Sequence, residues 1–270
     1  MAQTPRFPTA YIPHGGGPCF FMDWSPADMW DAMEAYLKRL PFDMGQKPKA
    51  ILVISAHWEE AEFTVQTKAE PGMLFDYYGF PPYTYTLSYP APGSAHVAKR
   101  VQVLAGEAGI KVATDEVRDF DHGVFIPLLV SYPEADIPTL QLSLKKGLDP
   151  AEHIALGKAL APLRDEGVLI LGSGMSYHNL RRFMQSDSDG SVSHASKAFD
   201  AWLQTTVSQN RDLLKMWQDA PNARACHPRE EHLIPLMVVA GAAGNDEARV
   251  TYHEDSLGPT GVAISAFQFG

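Results

Sequence analysis

Four histidines occupy positions from which they could share a metal ion. His14 follows the apolar segment TAYIP, His57 directly follows ILVISA, and His178 follows VLILGSGMSY. His122 lies in the string DHG. Neutral imidazole is the commonest side-chain ligand for zinc and iron, and it also exchanges protons near neutral pH. The pattern therefore predicts metal-dependent chemistry in which a histidine can also act as acid or base.

A further ligand is expected from the string Glu230-Glu231-His232, which precedes the apolar run LIPLMVVAGAAG. The helix dipole favours acidic residues at a helix start whether or not they are functional. Either Glu231 or His232 is therefore a candidate for the same site. Histidines without such a context are predicted to be structural or solvated: His96, His153, His194 and His253.

Short, continuously apolar segments must hold these histidines in place. Such segments span residues 9–13, 50–55, 139–144 and 168–171, and they predict strands buried on both faces. Amphipathic segments lie between them, at residues 94–104 and 193–217 and after the helix-start strings SPAD (25–28) and DPAE (149–152). Residues 250–254 and 262–269 alternate and predict an antiparallel pair at a sheet edge.

The order of these elements predicts an α/β fold. We expect a single domain over residues 1–270, with a mainly parallel central sheet and helices on both faces. Ligands of such sheets bind beyond the carboxyl ends of the strands, where the histidines would converge. The sequence therefore predicts a metal site at the carboxyl ends of the strands.

Residues 76–93, DYYGFPPYTYTLSYPAPG, lack any helical period and are rich in aromatic residues. A loop of this length in a compact domain is usually functional or disordered. We expect it to cover the site, with Tyr77, Tyr83 and Tyr89 as candidate contacts to a substrate. The alternative is a loop that only fills the surface.

Composition and charge exclude several function classes. The net charge of −10 argues against nucleic-acid binding, since phosphate contacts need a concentrated basic surface. Cys19 and Cys226 lack CxxC spacing, which favours a reducing compartment. The apolar run 233–244 is shorter than the roughly 20 residues needed to span a bilayer. We expect a cytoplasmic protein, a monomer or small homo-oligomer, without a membrane or nucleic-acid partner.

Two familiar catalytic loops do not fit the sequence. The glycines after His14 lack both the Lys-Ser/Thr pair of a P-loop and the G-x-G-x-x-G spacing. The string Gly172-Ser173-Gly174 resembles a nucleophile elbow only loosely, because the G-x-S-x-G spacing is missing. Neither a phosphate loop nor a serine hydrolase is therefore predicted.

Six strings occur in one order along the chain: IPHGGGP, ISAHW, GFPPYTYTLSYPAPG, DHGVFIPL, SGMSYHNL and HPREEHLIPL. From Tyr11 to the C-terminus, the sequence resembles the class III extradiol ring-cleavage dioxygenases. The resemblance is closest to the DOPA 4,5-dioxygenase type with its bacterial members. It implies an α/β sheet with the metal at its strand ends, and an enzyme that opens a catechol-type ring with O2.

The resemblance also implies metal ligands by position. His14 and His57 match two metal ligands, and the string HPREEHLIPL matches the segment that supplies the third. The DOPA-type branch has a histidine there, here His232. The broader superfamily uses a glutamate, which keeps Glu231 as the alternative. We favour His232.

The remaining roles and the cofactor follow from the same resemblance. His178 matches the acid/base histidine, and His122 matches a histidine near the substrate. Fe(II) is the cofactor expected for activity, although three neutral imidazoles also suit zinc, which could occupy the site in purified protein. The expected partners are a small-molecule catechol and O2.

Two other functions stay open at this point. One is a zinc-dependent hydrolase that uses a metal-bound water at the same histidines. The other is a non-catalytic metal-binding protein, in which a fourth permanent ligand closes the site. His178 is the residue that would supply that ligand.

Overall fold

The computed structural model describes residues 6–185 and 187–270, and an eight-stranded sheet forms its centre. The strands are β1 (Thr9–Pro13), β2 (Ala50–Glu60), β3 (Phe63–Gln66), β4 (Val112–Asp115), β5 (Thr139–Lys145), β6 (Val168–Gly174), β7 (Ala248–Leu257) and β8 (Val262–Phe269). Their order is β4-β3-β5-β2-β6-β1-β8-β7. The central strands β5, β2, β6 and β1 run parallel, so their carboxyl ends share one edge.

Eight α-helices surround this sheet among the described residues. They are α1 (Asp31–Asp43), α2 (Ala95–Glu107), α3 (His122–Ser131), α4 (Pro150–Leu160), α5 (Leu180–Phe183), α6 (Ser191–Gln209), α7 (Ala223–Cys226) and α8 (Ile234–Ala243). Four 3-10 helices span Cys19–Phe21, Pro82–Thr86, Ala161–Arg164 and Arg211–Asp219. In the described ranges, none of the helices combines the length and apolar character required to cross a bilayer.

Adjacent residues of β6 show that helices cover both faces of the sheet. The position of a Cβ on Gly172 would lie 2.6 Å from the carbonyl oxygen of Pro235 in α8. Ser173, the next residue, donates a hydrogen bond to the carbonyl of Gly123 in α3. Because successive strand residues point to opposite faces, α8 and α3 lie on opposite sides of β6. The predicted α/β fold class is confirmed.

The predicted strands are confirmed, and most are longer than expected. β1 has the predicted bounds, whereas β2 continues to Glu60 and β6 continues to Gly174. The antiparallel pair at the C-terminus is also confirmed, with β7 at the sheet edge and β8 buried between β1 and β7. Strands β3 and β4 were not predicted from the sequence, because each is only four residues long.

The two predicted helix starts have different outcomes. Asp149 caps α4 by accepting hydrogen bonds from the backbone N–H groups of Ala151 and Glu152, as expected. The start predicted at residues 25–28 is wrong. Pro26 and Asp28 accept hydrogen bonds only from residues three positions ahead, which makes turns, and α1 begins at Asp31.

The long helix predicted over residues 193–217 is interrupted. α6 ends at Gln209, and Asn210 leaves the helical conformation with φ −152° before the 3-10 helix begins at Arg211.

Candidate metal centre

Five histidines from separate elements line one cavity of about 770 Å³. His14 follows β1, His57 lies in β2, His122 begins α3, His178 follows β6, and His232 precedes α8. The parallel strands bring the first, second and fourth of these to the same edge of the sheet. The cavity therefore lies at the carboxyl ends of the strands, where the sequence predicted the site.

An irregularity in β2 accompanies His57. The pairing of β2 with β5 is regular as far as Ile54 and resumes at Glu59 with a shifted register. Such bulges commonly re-aim a side chain beside an active site. His57 therefore lies in the part of β2 that is released from regular pairing with β5.

The Nε2 atoms of three histidines converge. His57 Nε2 lies 3.1 Å from His14 Nε2 and 3.2 Å from His232 Nε2. With metal–nitrogen bonds of about 2.0–2.1 Å, right-angled ligands are separated by about 3.0 Å and tetrahedral ligands by about 3.4 Å. The observed separations fall between these values, so the three nitrogens fit around one cation.

The hydrogen bonds of His14 show which of its nitrogens is free to bind a metal. His14 Nδ1 lies 3.0 Å from Ser173 Oγ, and the Ser173 hydroxyl donates its own proton to the carbonyl of Gly123. Ser173 must therefore accept a hydrogen bond from His14 Nδ1–H. The His14 Nε2 lone pair consequently faces the other two histidines.

The other two histidines also turn Nδ1 toward an oxygen. His232 Nδ1 lies 3.0 Å from Glu231 Oε1, and His57 Nδ1 lies 3.6 Å from Asp76 Oδ2. Carboxylates accept a proton from Nδ1, which leaves the Nε2 lone pair for a metal. Three lone pairs pointing at one another would repel, and a cation between them removes that repulsion.

Burial keeps these three imidazoles in the form that binds metals. Loss of solvent lowers the pKa of His14, His57 and His232 well below the usual histidine value, and neighbouring histidines lower it further. Their ligand atoms lie within 4.8 Å of one another, and no fourth ligand atom of a described residue joins that group. The set is thus an open site, as in catalytic metal centres.

The peptide of His232 is fixed closely against the sheet. Its carbonyl oxygen accepts hydrogen bonds from the Tyr11 hydroxyl at 2.7 Å and from the Met175 backbone N–H at 3.2 Å. A Cβ on Gly174 would lie 2.1 Å from the same oxygen. The absence of a side chain at Gly174 therefore permits this approach.

Glu231 joins His232 to His178. Its Oε1 atom lies 3.0 Å from His232 Nδ1 and 3.1 Å from His178 Nδ1, and the two imidazole rings stack at 3.3 Å. Burial alone would raise the pKa of Glu231, but the hydrogen bond from His178 and the charge of Arg229 leave it below the usual value. Glu231 thus faces the outer nitrogen of His232, away from the converging Nε2 atoms.

Asp76 holds His122 on the other side of the cavity. Its Oδ1 atom accepts from His122 Nδ1 at 2.7 Å and from the His122 backbone N–H at 3.0 Å. The His122 ring lies 3.9 Å from that of His57. Burial raises the pKa of Asp76, yet the bonds from His122 outweigh that effect and lower it overall. In the sequence, Asp76 stands out only as the first residue of the aromatic segment.

A buried ion pair supports the backbone of His57. Ser55 Oγ donates to Asp121 at 2.6 Å and accepts from the His57 N–H at 3.2 Å. Arg118 donates to Asp121 at 2.9 Å and to the His57 carbonyl at 3.1 Å. Burial, followed by the charge of Asp76, raises the pKa of Asp121, while Arg118 and Ser55 oppose that rise. Apart from the position of Asp121 beside His122, no sequence pattern predicts this network.

The aromatic segment contributes one of its three candidate tyrosines to the cavity. Tyr77 lines the wall, and its hydroxyl donates to the Thr84 carbonyl at 2.7 Å. Tyr89 is instead buried in the core beside Phe120, with ring centroids 6.3 Å apart. Tyr83 is 53% exposed and is not among the lining residues. Of the three tyrosines expected to contact a substrate, the structure therefore brings only Tyr77 to the cavity wall.

Comparison with known proteins identifies the family. Residues 8–268 match the family described as the catalytic LigB subunit of aromatic ring-opening dioxygenase. A 4,5-DOPA dioxygenase extradiol of Beta vulgaris is 41% identical over 91% of this chain and 90% of its own length. The protein of that name from Escherichia coli K12 is 33% identical over 92% of this chain and 89% of its own.

A solved structure agrees with these similarities. The crystal structure of an uncharacterised protein from Escherichia coli K12 superposes with a TM-score of 0.77 at 28% identity, covering 98% of this chain and all of the other. The family and the dioxygenase names do not favour the zinc-hydrolase alternative. The chain therefore belongs to the LigB family of metal-dependent aromatic ring-opening dioxygenases, as a class III extradiol enzyme of the DOPA 4,5-dioxygenase type.

Proposed function

We propose that His14, His57 and His232 hold Fe(II) for extradiol cleavage of a DOPA-like catechol. The observation that carries this proposal is the convergence of three Nε2 atoms at 3.1 and 3.2 Å beside His178 in one cavity. Bound Fe(II) would lower the pKa of a catechol hydroxyl and bring the diol and O2 together. The open side of the histidine triangle supports this use.

His178 is the proposed acid and base. Its Nδ1 faces Glu231, so its Nε2 is the atom that can take a proton from a catechol hydroxyl and later return one. The stack against His232 keeps the ring one van der Waals layer from the metal ligand. Histidine is the side chain that most often serves as general acid and base in enzymes.

His122 and Tyr77 are proposed to orient the substrate. With Nδ1 committed to Asp76, His122 presents its remaining nitrogen as the group for hydrogen bonding. Tyr77 packs edge-on against His122 with ring centroids 5.8 Å apart, and it forms an apolar wall on that side. Together they would hold the catechol ring and exclude water.

The substrate class comes from the relatives. The proteins of Beta vulgaris and Portulaca grandiflora are named for DOPA, and this chain is 41% and 40% identical to them. We therefore propose DOPA-like catechols and O2 as the substrates. Zinc would also fit three neutral imidazoles, so purified protein is proposed to carry either metal.

Location and assembly remain proposals. Both cysteines, Cys19 and Cys226, are buried free thiols, which supports a reducing, cytoplasmic location. We propose a monomer or small homo-oligomer without a nucleic-acid partner, in keeping with the net charge of −10.

Metal reconstitution tests the proposed function. The enzyme is purified without oxygen, loaded with Fe(II) or zinc, and supplied with a panel of catechols that includes DOPA. We expect oxygen uptake and a yellow semialdehyde product with Fe(II) only, and metal analysis should give one ion per chain. Absence of oxygen uptake by the Fe(II) form with every catechol of the panel would refute the proposal.

A further inference from the structure

Arg229 belongs to the HPREEH string, yet the proposed chemistry does not use it. It is the one lysine or arginine among the described residues that line the cavity, and its side chain is 55% exposed. Much of the remaining wall is aromatic or aliphatic, including Trp24, Phe80 and Met184. A single guanidinium in such a wall is a candidate for recognising part of the substrate.

Glu59 fixes the direction of the Arg229 guanidinium. The two carboxylate oxygens of Glu59 accept one hydrogen bond each from Nη1 and Nη2 of Arg229, both at 2.5 Å. Nη1 also donates to Glu231 Oε2 at 3.5 Å. A bidentate pair of this kind restrains a side chain that would otherwise be flexible. The Arg229 side chain is therefore already ordered, so it loses less conformational entropy when a ligand binds.

Two donors of this guanidinium remain free of protein partners. Arginine has five N–H donors, and the contacts with Glu59 and Glu231 use three of them. Within residues 6–185 and 187–270, no group accepts a hydrogen bond from Nε or from the second hydrogen of Nη2. Nε and Nη2 form the side-on fork of the guanidinium, which matches the spacing of the two oxygens of a carboxylate.

Arg229 and Glu59 are close in sequence to two of the proposed metal ligands. Arg229 precedes the proposed ligand His232 by three residues, and Glu59 follows His57 by two. Glu231 contacts Arg229 with one oxygen and His232 with the other. The guanidinium that carries the fork is therefore linked to the proposed ligand His232 through one carboxylate.

We propose that the Arg229 fork binds a carboxylate at the end of the substrate's substituent, so that the enzyme selects catechols with an acidic side chain. This inference rests on the proposed function. Glu59 acts as a positioning residue, because it holds the fork while its own charge is balanced by Arg229. Neutral and cationic substituents would leave the fork unfilled.

A matched pair of substrates tests this selection. Dihydrocaffeate and its primary amide have the same length and differ only in the charge of the terminal group. We expect kcat/KM of the Fe(II) enzyme to be about 10- to 100-fold higher for the acid, the range for a hydrogen bond to a charged group. In Arg229→Gln this ratio should fall close to one, and Arg229→Lys should be intermediate because lysine keeps the charge without the fork.

Arg224→Gln is the control variant. Arg224 lies in the same segment, is similarly exposed, and pairs with Glu230 at 2.6 Å, but it does not line the cavity. It should keep the ratio of the wild-type enzyme. A ratio that is unchanged in Arg229→Gln would overturn the proposal.

The wild-type enzyme decides the question if the variants do not fold. A ratio of one or less, or a preference for a catechol amine, overturns the selection of acids while ring opening itself persists. If no catechol of the panel, DOPA included, is opened, the proposed function fails. Calorimetric binding of the acid and the amide then still shows whether Arg229 selects the carboxylate.

Discussion

Glu231 and Asp76 each hold two histidines of the cavity, but they do so with different geometry. One oxygen of Glu231 serves His232 and His178 almost equally, at 3.0 and 3.1 Å. Asp76 gives its Oδ1 atom to His122 at 2.7 Å, whereas its Oδ2 atom lies 3.6 Å from His57. Glu231 therefore connects a proposed metal ligand to the proposed acid/base residue, whereas Asp76 mainly fixes His122.

From this difference we infer how the proposed metal binding and proton transfer would depend on each other. On the Glu231 side, a change at one carboxylate disturbs both functions. On the Asp76 side, His57 has independent support, since Ser55 and Arg118 bind its backbone. Around the proposed metal site, the protein thus supports His232 and His178 through one carboxylate, but supports His122 and His57 through separate groups.

Removal of a ligand should have the largest effect, because both sides depend on a shared metal. We expect His14→Ala and His57→Ala to lose far more affinity for iron and zinc than a variant that lacks only a hydrogen-bond partner of a ligand. Loss of such a partner typically lowers metal affinity about 10- to 100-fold. Metal content after reconstitution measures this. His96→Ala, at an exposed position on α2, is the control. Full occupancy in both ligand variants would contradict the assignment.

Loss of His178 should lower turnover without removing the metal, although Glu231 contacts both His178 and His232. We expect His178→Ala to retain its metal while kcat falls by about 10² to 10⁴, the usual contribution of general acid–base catalysis. Oxygen uptake and metal analysis on the same sample test this. An equal loss of metal would make His178 a ligand instead.

Neutralising each carboxylate tests the comparison directly. Glu231→Gln should weaken metal binding by about 10- to 100-fold and also lower kcat, because one oxygen supports both histidines. Asp76→Asn should lower kcat with a smaller loss of metal affinity, since its contact with His57 is long. Chelator competition gives the affinities. Equal affinity losses in the two variants would remove the proposed asymmetry.

Mild acid should give the smallest effect, and it concerns the Glu231 side. His227 is buried behind this side, where its Nε2–H donates to the Ser176 carbonyl at 2.9 Å and its Nδ1 has no partner among the described residues. Burial lowers the pKa of His227 to about 4. The unfolded chain, with a histidine pKa of about 6.5, then binds a proton that the native state excludes.

The free energy of unfolding should consequently fall as the pH drops from about 6.5 to about 4, by up to about 1.4 kcal/mol per pH unit from this residue. Urea unfolding of metal-free protein at pH 7 and pH 5 measures it. We expect the loss between these values to be about 2 kcal/mol smaller in His227→Gln than in wild type. His96→Gln is the control, and identical losses in all three proteins would be the contrary result.

The sequence predicted those features that depend on local pattern. A run such as residues 9–13 is apolar because both faces of β1 are buried, and the histidine after it marks the end of the strand. The same reasoning applies to β2 and β6. Because parallel strands end at one edge, the approximate meeting point of His14, His57 and His178 followed from the fold class.

The contacts between side chains could not be predicted in this way. Asp76 and His122 are 46 residues apart, and their hydrogen bond depends on the path of an aperiodic segment. The same path buries Tyr89 in the core, although its sequence context resembles that of Tyr77. Glu231 is adjacent to His232, but only coordinates distinguish an outer hydrogen-bond partner from a ligand.

Gly174 matters for the candidate metal site because it has no side chain. A methyl group there would overlap the oxygen of the peptide that carries His232. A side chain at this position would require the His232 peptide to shift, and with it one of the three converging imidazoles. The spacing of the three imidazoles therefore depends on the absence of a side chain at Gly174. A search for functional residues that considers only reactive side chains would overlook this position.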